Sequence, residues 1–144
     1  MTTIVWDGTT LAADTQLTLG GSTVGGTQKI FELGTKANQI FIATAGYHAE
    51  TGIFTEWIAK GAPQDDKPTV HEEFSAFKLT KKGLFEYDFL LYRMEVTNKC
   101  AIGSGWQWAM AAMDYGASAE EAVKYASTRD VYTNDIVQTV KAPT

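Results

Sequence analysis

Three observations predict an α+β fold, with antiparallel sheets and helices packed outside them. The chain opens on a hairpin signal: the β-branched and aromatic run Thr2-Thr3-Ile4-Val5-Trp6, then the turn pair Asp7-Gly8. Helical spacing of apolar residues is confined to 47–60 and 106–128. The order is therefore strands, helix, strands, two helices, strand, and segregated elements of this kind favour α+β over a parallel, interleaved sheet.

Taken in order, Thr9 to Ala13 runs back from the Asp7-Gly8 turn and completes the first hairpin. Residues 19–27 hold four glycines in nine positions, which predicts a flexible loop rather than a regular element. Lys29 to Leu33 reads as a short strand. Gln39 to Ala45 is mostly apolar and reads as a strand buried on both faces, ended by Gly46. Ile53, Phe54, Trp57 and Ile58 give residues 47–60 a helical pattern that Gly61-Ala62-Pro63 stops. The polar stretch Gln64 to Glu73 reads as a loop. Phe74–Leu79, Leu84–Tyr87 and Leu90–Val96 follow as antiparallel strands, with Lys81-Lys82-Gly83 as one turn. A short strand, Lys99–Ile102, leads through Gly103-Ser104-Gly105 into a helix from Trp106 to Tyr115 with Gly116 as its C-cap. Ser118 and Glu121 form a capping box for a third helix that runs to about Thr128. Asp130 to Val140 returns to strand character.

At 144 residues the chain is predicted to be a single domain, 1–144, with a sizeable core. Twelve Lys and Arg against 17 Asp and Glu give a net charge of −5, which argues against nucleic acid as a partner. The longest apolar runs are far below the roughly 20 residues of a membrane helix, so no membrane association is expected. With Cys100 as the one cysteine there is no intrachain disulfide. No basic segment followed by an apolar one marks a secretory signal, so a cytoplasmic location is expected.

Five segments, in order, resemble one known family. They are Thr2-Thr3-Ile4-Val5 with Asp7-Gly8 and Leu11-Ala12-Ala13-Asp14-Thr15; Gly25-Gly26-Thr27-Gln28-Lys29-Ile30; Ala43-Thr44-Ala45-Gly46; Ala101-Ile102-Gly103-Ser104-Gly105; and Arg129-Asp130-Val131-Tyr132-Thr133-Asn134. Together they are similar to proteasome β subunits and the bacterial proteasome-like peptidase HslV. The resemblance implies a fold of the N-terminal nucleophile (Ntn) hydrolase type, an αββα sandwich of two antiparallel sheets between helical layers. It also implies assembly as a homo-oligomer, in rings whose catalytic centres face an inner chamber.

Carried over residue by residue, the resemblance makes Thr2 the nucleophile once Met1 is lost, with its own α-amine as base. An α-amine of pKa about 7.7–8.0 suits proton transfer near neutrality. Lys29 then stabilises developing charge, Asp14 holds Lys29, and the Gly46 amide lines the oxyanion hole. Ser104, Asp130 and Thr133 form the supporting hydrogen-bond set. The implied reaction is peptide-bond hydrolysis through an acyl-enzyme, with no metal and no organic cofactor; the resemblance does not identify an ATPase partner. Each residue alone has a plainer reading: Thr2 as a β-former, Asp14 as a turn residue, Lys29 as a solvated charge, Gly103-Ser104-Gly105 as a turn, Asp130 and Thr133 as caps.

Three departures from the family pattern argue against activity. Thr2 lies six residues before Gly8, whereas Gly8 to Asp14 keeps the family spacing. The first strand is thus about four residues short, or about 13 Å at ~3.3 Å per residue, and is expected to stop short of Lys29. Met1 ahead of Thr2 leaves an amide nitrogen where the base should be. One helix of the first layer is missing, replaced by the polar stretch 62–73. The alternative to a threonine-type peptidase is therefore a catalytically inactive Ntn-fold subunit, an oligomeric structural or scaffolding protein. A compact, phage-encoded member is one form of it, placed in the host cytoplasm or virion. A peptide-binding module that keeps the cleft without the chemistry is the third reading.

Among other residues, His48, His71 and Cys100 show no zinc-ligand spacing. Cys100 reads as a small core residue, and Met110 and Met113 as a helix core face. Trp106 and Trp108 do not easily share one buried face, so one of them is expected at a subunit contact.

Overall fold

The computed structural model describes residues 2–144. Eleven strands and three helices follow the order β1 (Thr3–Trp6), β2 (Thr10–Asp14), β3 (Gln16–Leu19), β4 (Ser22–Gly26), β5 (Ile30–Thr35), β6 (Asn38–Ala45), α1 (His48–Ala59), β7 (Ser75–Thr80), β8 (Gly83–Tyr87), β9 (Arg93–Val96), β10 (Cys100–Gly103), α2 (Trp106–Asp114), α3 (Ala119–Ser127), β11 (Val137–Lys141). They form a four-stranded sheet in the order β10-β1-β2-β11, a five-stranded sheet β5-β6-β7-β8-β9 and the small hairpin β3-β4. The ladders within these sheets are antiparallel.

Strand alternation builds the layers. Ile4, Trp6, Leu11, Ala13 and Ile102 of the first sheet face Ile30, Ala43, Phe77, Leu79 and Leu84 of the second, forming the central core. The opposite face of the first sheet, Val5, Ala12 and Ala101, packs on Ala109, Met113, Ala122, Val123 and Ala126 of α2 and α3. The outer face of the second sheet, with Ile42, Ala76 and Tyr87, packs on Phe54, Trp57 and Ile58 of α1. The result is the αββα sandwich of an Ntn-hydrolase-like fold. Among the described residues α1 is the one α-helix on its side, and only a single 3-10 turn, Gln64–Asp66, interrupts the stretch that follows it.

The capping box is present: the Ser118 hydroxyl accepts from the Glu121 amide at 3.2 Å, and the Glu121 carboxylate accepts from the Ser118 amide at 3.0 Å. Two local expectations are corrected. Residues 19–27 are largely regular, because Gly20 and Gly21 at positive φ close a tight turn between β3 and β4. Residues 131–136 are not strand: Asp130 turns the chain by accepting Thr133 N at its carbonyl, and pairing with β2 begins only at Val137. Trp108 and Met110 are half-buried against the α2–α3 core, Met113 is fully buried, and Trp106 is about half exposed. Cys100 is half-buried and packs against the central core, with Sγ 3.2 Å from Glu86 Oε1. Burial and then the Glu86 carboxylate push its thiol up to about 12.

Candidate active site

The open end of the β1–β2 hairpin places the candidate nucleophile. Ile4 pairs with Ala13, so the register carries Thr3 opposite Asp14 and Thr2 just beyond it. Thr2 and Thr3 are buried, and Asp14 is fully buried where β2 leaves the sheet. The Thr2 hydroxyl donates to Asp14 Oδ1 at 2.5 Å. Lys29 Nζ donates to Thr2 Oγ1 at 2.8 Å and to both Asp14 oxygens at 3.0 Å. The expected shortfall of strand length is therefore corrected: Thr2 does reach Lys29. An antiparallel hairpin that loses residues at its turn retracts the turn, while the register at the open end is untouched. The reference point is Asp14, not Gly8. The expectation about Met1 lies outside the described residues.

A buried carboxylate is costly unless charge and hydrogen bonds offset its desolvation. Besides Thr2 and Lys29, Asp14 accepts from Thr3 N at 3.0 Å, Gln16 N at 3.1 Å and Asn134 N at 3.4 Å. Burial pulls the Lys29 ammonium below the ordinary lysine value; the charge and hydrogen bond of Asp14, and then the charge of Asp130, oppose that pull without cancelling it.

The second cluster backs the first. Asp130 Oδ2 accepts from Ser104 Oγ and from Thr133 Oγ1, both at 2.6 Å. With its proton on Asp130, Thr133 Oγ1 takes the hydroxyl of Thr3 at 2.7 Å. Ser104 Oγ also lies 3.2 Å from the Thr2 carbonyl oxygen. Two glycines permit this approach. A Cβ on Gly103, whose φ is +95°, would sit 2.0 Å from the Thr2 carbonyl oxygen, and one on Gly105 would sit 2.1 Å from Thr3 Oγ1. The Gly-Ser-Gly turn is thus a requirement of close packing beside Thr2.

Gly46 ends β6 at φ +137° and lines, with Thr2 and Lys29, an open cavity of about 430 Å³. Leu17, Leu19, Phe31 and Tyr47 make its apolar wall, and Thr44 and Thr51 share a 2.7 Å hydroxyl contact at its edge. The structure thus gathers Thr2, Asp14 and Lys29 in direct contact, places Ser104, Asp130 and Thr133 in the cluster behind, and puts Gly46 across the cavity. The sequence reading missed Thr3, Gln16 and Asn134. Asn134 acts across the chain, its side-chain oxygen accepting from Thr15 N at 3.0 Å over a separation of 119 residues, a contact that no local pattern announces.

A buried threonine at the open end of the first hairpin, a lysine–aspartate pair against it and two stacked sheets between helices define the Ntn-hydrolase class of fold. Two solved proteins carry it over essentially the same length. BPH of Thiobacillus denitrificans superposes with a TM-score of 0.73 at 20% identity, covering 99% of this chain and 97% of that one. The same protein in complex with epoxomicin gives 0.72 at 19% identity, with 99% and 97% covered. Eukaryotic HslV from Trypanosoma brucei gives 0.71 at 19% identity and covers 99% of both chains. No family model and no curated protein matches the sequence. Among the described residues no helix is long and apolar enough to cross a membrane.

Proposed function

We propose that this chain is a threonine-type peptidase of the HslV and proteasome β kind, acting through Thr2 in a homo-oligomeric assembly. The observation that carries the reading is the 2.8 Å contact between Lys29 Nζ and Thr2 Oγ1, with Asp14 gripping both. A solvated lysine beside a threonine is common; a largely buried lysine held by a buried aspartate against a buried hydroxyl is what a nucleophile needs.

With Met1 removed, the Thr2 hydroxyl turns its proton from Asp14 to its own α-amine, which takes it as Oγ1 attacks the carbonyl carbon of a peptide bond in the cavity. Lys29 stays charged and stabilises the developing negative charge on Oγ1. The carbonyl oxygen becomes an oxyanion opposite the Gly46 amide. The α-ammonium then gives its proton to the leaving amine, the C–N bond breaks, and an ester to Thr2 remains. Water, deprotonated by the same amine, attacks that ester; the bond from the acyl carbon to Oγ1 breaks, the new carboxyl end leaves, and the α-ammonium returns its proton to Oγ1. Ser104, Asp130, Thr133 and Thr3 hold the Thr2 segment in place through the chain of hydroxyls that ends on Asp130. The assembly reading draws on exposed apolar side chains: Val131 is 78% exposed, Ile136 68% and Trp106 48%. Trp106 is the tryptophan we assign to a subunit contact.

The test uses the chain after removal of Met1, checked by intact mass, with epoxomicin as probe. One inhibitor adduct mapping to Thr2, absent from Thr2→Ala, is expected. Lys29→Ala should lower peptide turnover on the order of 10³-fold. Parent-like turnover in Lys29→Ala, or a trimmed chain that neither turns over peptides nor forms the adduct, would overturn the reading and leave the inactive-subunit alternative.

A further inference from the structure

We infer that Gln138 is a positioning residue for Lys29, fixing where its ammonium meets Thr2. Lys29 lies just before β5, outside the ladder that begins at Ile30. Its backbone N–H has to find an acceptor elsewhere. The Gln138 side chain supplies one: Oε1 accepts from Lys29 N and from Ile30 N, each at 3.0 Å, and Nε2 donates back to the Ile30 carbonyl at 2.9 Å. One side-chain amide thus clamps the Lys29–Ile30 segment with three bonds.

The clamp matters because of where Gln138 stands. It pairs with Ala13 in the β2–β11 ladder, one residue from Asp14. Lys29 belongs to the segment that enters the opposite sheet, so nothing in its own strand refers it to Asp14. Through Gln138 its backbone, and through Asp14 its ammonium, are both referred to β2. A lysine side chain has four flexible carbons, so a fixed backbone removes much of the freedom that would blur its contact. The choice of residue is also unusual. Alternation puts Gln138 on the same inward face as Val140, which packs on the central core. A polar amide in that row is tolerated because its hydrogen bonds are made. Glutamate would keep the acceptor and lose the donor to Ile30; leucine would lose all three bonds.

The kinetic arm of the test rests on the peptidase reading; the spectroscopic arm does not. Lys29 Nζ is titrated by lysine-selective NMR in the parent chain, Gln138→Leu and Gln138→Glu. The parent should titrate below the ordinary lysine value. Gln138→Leu should move Lys29 back toward that value, and Gln138→Glu, which adds a negative charge close by, should raise it above the parent. If the parent turns over peptides, Gln138→Leu should lower kcat on the order of 30-fold with KM within about threefold, and Gln138→Glu should recover part of the loss. An unchanged Lys29 titration in both variants, or in Gln138→Glu alone if Gln138→Leu does not fold, would overturn the positioning role. A parent without turnover would overturn the peptidase reading and leave the titration to decide the role of Gln138.

Discussion

At its turn end the β1–β2 hairpin is exposed and held by one aspartate; at its open end it is buried and converges on a lysine, an aspartate and two threonines. Asp7 Oδ1 accepts Thr9 N at 2.9 Å and Thr10 N at 2.8 Å, and its Oδ2 accepts Ala119 N at 2.8 Å. That carboxylate closes a turn and caps α3. Asp14, twelve residues along the chain from Thr2, sets the position of the hydroxyl that the chemistry would use. Asp7 accepts four hydrogen bonds and Asp14 six, two of them from the Lys29 ammonium. They differ in burial, and burial is what converts a turn residue into an electrostatic anchor. The open end should therefore fail under small steric insults, while the turn end should tolerate larger ones.

The largest effect should come from Gly103→Ala. The added methyl meets the Thr2 carbonyl oxygen at 2.0 Å, and a backbone oxygen leading directly into β1, which pairs from Thr3 onward, cannot swing aside as a side chain would. The positive φ adds strain of its own. Overpacking and strain together should cost on the order of 3 kcal/mol, read as a fall in the urea midpoint with an unchanged m-value. The Lys29 titration should also return toward the ordinary lysine value, because Thr2 is displaced from Lys29. A midpoint within error of the parent would show that the open end has slack the structure does not suggest.

Asp7→Ala should be milder, about 1 kcal/mol, the usual worth of a lost cap. The site should not feel it, and the Lys29 titration should be unchanged. The pH dependence has a definite sign. Burial pushes Asp7 up, but the backbone bonds from Ala119, Thr9 and Thr10 outweigh it and hold the folded carboxyl below its usual 3.8. The stabilisation is therefore present above pH 3.8 and disappears as pH falls through the lower folded value. The stability difference between parent and Asp7→Ala should shrink below that pH. A constant difference from pH 7 down to pH 3 would mean that Asp7 acts through packing instead.

Much of this contrast is legible in the amino-acid sequence. Thr2, Asp14, Lys29, Ser104, Asp130 and Thr133 each stand out by their place in a family-like order. The αββα layering follows from that resemblance, while the helical periodicity and the order of elements carry only the α+β class. What is illegible has a common cause: contacts between residues whose partners lie in another element. Thr3 looks like any β-former until Thr133, 130 residues away, is brought to its hydroxyl. Gln138 looks like a polar residue in a strand until β5 begins beside it. The β3–β4 hairpin is hidden because its glycines read as looseness, whereas two of them serve one tight turn. The reach of β1 is misjudged when it is counted along the chain to Gly8. Register is a property of the pair of strands, and the pair is indexed from Asp14.

That last point carries the smallest and most discriminating prediction. Inserting two residues between Gly8 and Thr9 restores part of the missing hairpin length, at the end where the chain is exposed. The loop-closure cost of two extra turn residues is on the order of 0.5 kcal/mol. The Ile4–Ala13 pairing, the Thr2–Asp14 bond and the Lys29 contact should all persist, because none is measured from the turn. The Lys29 titration should overlay that of the parent, and any peptide turnover should stay within about twofold of it. If Lys29 instead shifted toward the ordinary lysine value, the turn would be setting the open end after all. The length of the first strand, rather than its register against Asp14, would then be what places Thr2.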